Sequence, residues 1–164
     1  MINNNKYLNY KYIYPPNAKT QEQLDIMVNL EKEGKDPLDI NNIDQIILFK
    51  TNYWYVSENR FPYKEVKKQF LIVALNEIYN IKDMSPEMWL DLKNIWDRLV
   101  LEYNLDGGAL CFRFGNPAIS SASLKRLHAH LIAPKEFDGE RHKVTFPIGG
   151  HTELKEGLYM EDIS

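Results

Sequence analysis

Hydrophobic positions along this chain recur with two different periods, and the switches between them mark out the elements. Residues 1–18 show neither period; they are rich in Asn and Tyr, end in Pro15-Pro16-Asn17, and read as an arm. From Thr20 onward Leu24, Met27, Val28 and Leu30 fall on one helical stripe. That stripe predicts a helix from a Thr20 cap to Lys32, stopped by Gly34 and Pro37. Ile43–Lys50 and Tyr53–Val56 are rich in β-branched and aromatic side chains and predict strands, with Glu58–Tyr63 as a turn or loop. Gln69–Ala74 is a continuous apolar run suited to a buried strand.

The strongest helical pattern opens at Ser85, an N-cap followed by Pro86 at the first helical position and Glu87 at the positive helix end. Trp89, Leu92, Ile95, Trp96, Leu99 and Val100 recur at helical spacing and are expected in the core, and Asp106-Gly107-Gly108 ends the helix. Ala109–Phe114 predicts a strand, Gly115–Ala122 a polar loop, and Leu124–Ala133 a further strand. Beyond Pro134 the pattern is mixed, with a turn at Gly149-Gly150. There is no internal repeat. Three strands, a helix, a strand, a loop and a strand make an α+β fold on a mostly antiparallel sheet.

Composition narrows the class. With 164 residues, 44% of them hydrophobic and 12% aromatic, the chain can build one domain with a real core, and wholesale disorder is excluded. A net charge of −3 argues against an extended nucleic-acid-binding surface and leaves room for a small nucleotide in a local pocket. The single cysteine, Cys111, allows no internal disulfide and gives secretion no support; its apolar neighbours predict a buried small hydrophobe. No apolar run approaches the roughly 20 residues of a membrane helix. The polar Met1–Lys6 stretch lacks the apolar core of a signal peptide. The expectation is a soluble cytoplasmic protein.

Two of the four histidines, His128 and His130, stand at alternate positions of the last predicted strand. A period of two puts both on one face, with Leu127, Ala129 and Leu131 on the other. Paired imidazoles on a sheet serve a metal, or nucleophilic and acid–base work on one substrate. A metal would need further ligands; His142 and His151 lie in the tail and the strand carries no carboxylate, so no metal site is assigned. The Arg113–Ser123 loop is small and rich in hydroxyls and backbone amides. It suits an anion, or an ordinary connection between strands. Tyr53, Trp54 and Tyr55 could frame a base or pack within a strand, and Lys64, Lys67 and Lys68 could meet a polyphosphate or face solvent.

Asn116, then Ser123-Leu124-Lys125-Arg126-Leu127-His128-Ala129-His130-Leu131-Ile132, resembles the signature of the histidine triad (HIT) superfamily. That signature is an Asn, a small loop, then His-φ-His-φ-His-φ-φ with φ apolar. Upstream, Val56–Pro62 and Gln69–Val73 look like the family's first nucleotide-contacting segment and the strand after it, and residues 85–105 fall where the family has its long helix. The resemblance covers residues 45–135 and departs from the pattern twice. Arg126 stands at the first triad position, and Gln69 stands where the family often has His.

The resemblance implies a HIT-like, mostly antiparallel sheet of about five strands with a long helix packed on it. The organisation expected is an N-terminal arm and helix over 1–44, a HIT-like domain over 45–135, and a tail over 136–164 packed on the same domain. It also implies a nucleotide hydrolase or nucleotidyltransferase working at an α-phosphate through a covalent nucleotidyl-histidine intermediate. In that scheme His128 attacks phosphorus and His130 hydrogen-bonds the phosphoryl or leaving-group oxygens. Asn116 and Ser123 contact the phosphate, and Asn59 lies near the ribose or base. Arg126 keeps the backbone carbonyl that orients the nucleophile, and its side chain, on the strand face of His128, could pair with a phosphate. The implied substrate is a dinucleoside polyphosphate or a nucleoside phosphoramidate, with no cofactor and no metal for the covalent step. Two other readings stand beside it: a nucleotide-binding module without turnover, motivated by Arg126, and a His-x-His metal enzyme. The resemblance further implies a homodimer paired through sheet edges and helices, with the arm and tail as alternative covers for those edges.

Overall fold

The central feature of the structure, a computed structural model describing residues 5–136, 139–140, 142–161 and 163, is a five-stranded sheet. Its strands are β1 (Ile47–Lys50), β2 (Trp54–Glu58), β3 (Val66–Ala74), β4 (Ala109–Phe112) and β5 (His128–Pro134), in the order β1-β2-β3-β5-β4. Every neighbouring pair is antiparallel. Among the described residues there are three α-helices, α1 (Gln21–Lys32), α2 (Pro86–Glu102) and the short α3 (Pro117–Ser120). The chain divides into two compact units. The sheet unit holds Asp44–Phe112 and Leu127–Phe146; the other holds Met1–Ile43, Arg113–Arg126 and Pro147–Ser164.

In the sheet unit one face carries Trp54, Val56, Phe70, Ile72, Ala129 and Leu131, all buried against α2. The helix begins as its sequence dictates: the Ser85 side chain accepts the Met88 N–H at 3.3 Å and Pro86 occupies the first turn. The stripe that meets the sheet is Met88, Leu92, Ile95 and Leu99. Trp89 and Trp96, expected in the core, are 43% and 38% exposed. They flank the buried stripe by one position, a rotation of about 100° that a 3.6-residue period resolves poorly when both neighbouring positions are apolar. Trp89 instead packs edge-on against Phe112 at 5.8 Å. Trp54 and Tyr55 are fully buried, and the Trp54 indole N–H donates to the Met88 carbonyl at 3.1 Å, so these rings serve packing.

β5 starts later than the apolar pattern predicts. Leu124 makes only an isolated bridge with Ile13, and Arg126 lies in a bend before the strand. Residues 123–126 belong to the other unit, where they pair with residues 12–14. The Tyr14 N–H donates to the Ser123 carbonyl at 2.7 Å and the Lys125 N–H to the Tyr12 carbonyl at 2.8 Å. The stretch read as an arm is therefore built in: Tyr12, Ile13 and Ala18 are buried with Leu24, Met27 and Val28 of α1. Its backbone is satisfied by side chains, which is what a buried irregular segment requires. The Glu31 carboxylate accepts the N–H groups of Lys11 and Tyr12, and the Lys125 ammonium donates to the carbonyls of Leu8 and Tyr10.

Arg126 belongs to this same unit, and its side chain is engaged there by two carboxylates. Its guanidinium is 97% covered, donating through Nε to Asp36 at 2.7 Å and through a terminal nitrogen to Asp39 at 3.3 Å. Asp36 is equally buried, and its other oxygen accepts the Leu38 N–H at 2.8 Å. A buried charge needs such partners, because desolvation of an isolated ion costs several kcal/mol. Arg126→Met, which strands Asp36 without its cation, is expected to lower unfolding stability by about 3 kcal/mol in urea titration, while a change below about 1 kcal/mol would contradict the role.

Lys19 gives this unit a pH dependence. Burial, then the nearby cations of Arg113 and Lys155, push its ammonium down to about 8 from the ordinary 10.5. The unfolded chain then binds that proton more tightly, so stability rises with pH between about 8 and 10.5. Lys19→Met is expected to raise the unfolding temperature at pH 7 and to lose most of that advantage above pH 10.5. An advantage that is constant with pH would overturn the assignment.

Candidate functional site

β5 carries the two imidazoles. Because side chains alternate along a strand, Ala129 and Leu131 enter the core with α2 while His128 and His130 share the opposite face. Their rings stand 5.0 Å apart between centroids in an edge-to-face arrangement. His128 is half-buried, and His130 is buried. The register against β3 places Val73 beside His128, Leu71 beside His130 and Gln69 beside Ile132.

Gln69 reaches along this face to His130. It is buried, its Nε2 lies 3.0 Å from His130 Nδ1, and its Oε1 accepts the backbone N–H of Tyr63 at 2.8 Å. The Tyr63 and Phe146 rings flank the same imidazole at 6.2 Å and 5.3 Å, and lie edge-to-face 5.8 Å from each other. On β4, Cys111 pairs in register with His130; it is half-buried, where a buried small hydrophobe was expected.

Asn59 follows β2 and connects to this chain of contacts. Its N–H donates to the Gln69 carbonyl at 2.8 Å, and its Oδ1 accepts the Phe61 N–H at 3.0 Å, which fixes the turn. It lines a cleft of about 340 Å³ with Asp44, Gln45, Ile46, Leu48, Glu58 and Arg60. That volume falls in the range of small-molecule sites, and the lining mixes aliphatic carbon with amides and charges. Arg60 is held by Asp44 at 3.1 Å. A second cleft of about 330 Å³ opens by β4 and β5, lined by residues that include Cys111, Ile132, His142, Val144 and Phe146. His142 Nδ1 lies 2.7 Å from the Glu65 carboxylate.

The structure thus gathers Asn59, His128 and His130 in the sheet unit, whereas Asn116, Ser123 and Arg126 belong to the other. Asn116 caps α3 through the Ala118 N–H at 2.9 Å, and the Ser123 carbonyl accepts from Tyr14. The loop between them is pinned by Asn17, whose buried amide donates to the carbonyls of Pro117 at 2.8 Å and Ala122 at 2.9 Å. His151 is exposed, and its backbone N–H donates to Asn17 Oδ1 at 3.0 Å. Lys67 and Lys68 are ion-paired with Glu136 and Glu58.

Tyr63, Phe146, Asp36 and Asp39 are residues that sequence reasoning missed. Gln69 was marked only by its departure from the family pattern, although the period of two already put it on one face with Leu71 and Val73. Nothing in the sequence announces Phe146, which comes from the irregular tail. Among the described residues, no group of three or more His, Cys, Asp or Glu side chains could hold a metal. No helix among them is long and apolar enough to cross a membrane.

No protein-family model matches the chain, and no curated protein does either. Solved structures do. A HIT-like protein shares 14% identity over 66% of this chain and 98% of its own, with a TM-score of 0.50. A zinc-bound histidine triad family protein from Mycobacterium smegmatis shares 14% identity over 63% of this chain and 73% of its own, with a TM-score of 0.49. A diadenosine triphosphate hydrolase from Plasmodium falciparum, in complex with cyclomarin A, shares 18% over 69% and 82%, also at 0.49. At such identities the likeness speaks for the backbone alone. With five antiparallel strands, a long helix on one face and the His-x-His strand beside the sheet's centre, the chain has the α+β fold of the histidine triad proteins.

Proposed function

We propose that the chain is a nucleotidyl-transferring enzyme, a hydrolase where water is the acceptor, acting at the α-phosphate of a nucleotide through a covalent bond to His128. The observation that carries this reading is the pairing of a half-buried His128 with a buried, hydrogen-bonded His130 on one strand face. The first can meet a substrate; the second is held in place. An imidazole nitrogen is a competent nucleophile at neutral pH and a good leaving group once protonated, which suits a reaction in two displacements.

In the first displacement an unprotonated nitrogen of His128 attacks the α-phosphorus. The N–P bond forms as the bond to the leaving group breaks, and the leaving group departs with the electron pair and takes up a proton. In the second, water attacks phosphorus, gives up a proton, and the N–P electron pair returns to His128. The product is a nucleoside monophosphate. His130 donates a hydrogen bond to the phosphoryl oxygens. The nucleoside occupies the cleft lined by Asn59, whose amides and charged rim suit a ribose and base. The substrate class is a nucleoside phosphate with a substituted α-phosphate: a dinucleoside polyphosphate or a nucleoside phosphoramidate.

Mixing the protein with these two substrate classes and quenching should yield a peptide spanning His128 that is heavier by one nucleotidyl group. His128→Ala should keep the wild-type circular dichroism spectrum and lose turnover by at least about a thousandfold, the scale of losing a covalent nucleophile. Wild-type turnover in that variant contradicts the mechanism. Binding of a nucleoside monophosphate with neither adduct nor turnover would instead identify a binding module.

A further inference from the structure

We propose that Gln69 is a positioning residue that holds His130 as the neutral Nε2–H tautomer, so that the ring offers a hydrogen-bond donor at Nε2. The argument runs through atoms that can only donate or only accept. The Tyr63 backbone N–H donates, so the Gln69 atom 2.8 Å away is the amide oxygen. The other end of the amide is therefore the NH2 group, a donor, and it faces His130 Nδ1 at 3.0 Å. Nδ1 must accept, and the proton of the neutral ring lies on Nε2.

Each alternative leaves a conflict. A proton on Nδ1 would set two donors against each other. Turning the amide over to receive that proton would aim its NH2 at the Tyr63 N–H. Gln69 and His130 are both buried, so water cannot relieve either clash. Among the described residues, the titratable groups that face the ring include His128 on its own strand, Cys111 across from it on β4 and Tyr63 beside it. From β3 the partner is the uncharged Gln69 itself. The family's usual histidine at this position could accept or donate and could titrate. Glutamine, with its oxygen taken by a backbone N–H, can only donate to the ring and cannot titrate. The lock thus commits His130 to donating at Nε2.

The use of this donor on a phosphoryl group rests on the transfer reading above, but the lock itself does not. Long-range proton–nitrogen NMR spectra of the substrate-free protein read the tautomer directly. The expected result is a pyridine-type Nδ1 and a protonated Nε2 on His130, and a protonated Nδ1 would overturn the proposal. Gln69→Glu keeps an oxygen for the Tyr63 N–H and gives Nδ1 an acceptor, so the proton should move to Nδ1. In that variant the neutral ring presents a bare Nε2, and only the imidazolium still donates there. Its kcat should therefore gain an alkaline descending limb, at least tenfold deep, that the wild type lacks. Gln69→Leu, which removes the amide without adding charge, should give a mixture of tautomers. Wild-type nitrogen shifts in both variants would refute the lock. A correct tautomer without turnover would refute only the transfer reading.

Discussion

The antiparallel ladder between β3 and β5 is the constraint on which the rest depends. It runs from Val66 opposite Pro134 to Val73 opposite His128, and it joins the histidine strand to the central strand of the sheet. Because side chains alternate with a period of two, a one-residue slip of β5 would drive both histidines into the α2 core and expose Ala129 and Leu131. The apolar set facing α2 therefore fixes the register, and the register fixes the chemistry. One ladder puts Gln69 within reach of His130 and keeps His128 at the strand's start, where it stays partly accessible.

What could be read in the sequence was what local physics determines. The caps at Thr20 and Ser85 are where composition put them, since each needs only a hydroxyl and the N–H three residues on. The alternation around His128 and His130 assigned both rings to one face because the opposite residues are unambiguously apolar. The succession of strands and the long helix followed from the same patterns, and with them the α+β class, while the HIT-like sheet followed from the family resemblance.

What could not be read depended on partners far away in sequence. The partners of Arg126, Asp36 and Asp39, lie about ninety positions earlier, and no local pattern connects them. Residues 5–18 look like a polar arm because the groups that satisfy their backbone, Glu31 and Lys125 among them, lie elsewhere in the chain. The late start of β5 has the same origin, since Leu124 pairs with Ile13. Phe146 reaches His130 from a tail without periodicity. Trp89 and Trp96 failed for a different reason: two adjacent stripes of α2 are both apolar, and only the sheet selects between them.

These pieces give the two departures from the triad pattern distinct physical meanings. Arg126 is absorbed into the packing of its own unit as a buried ion pair, whereas Gln69 enters the site as a fixed donor to Nδ1. The account then stands on His128 forming a covalent bond to phosphorus, and stereochemistry tests it most directly. With a substrate made chiral at its α-phosphorus, two successive in-line displacements restore the original configuration, so the account predicts net retention in the nucleoside monophosphate product. Net inversion would mean a single direct attack by water and would contradict it.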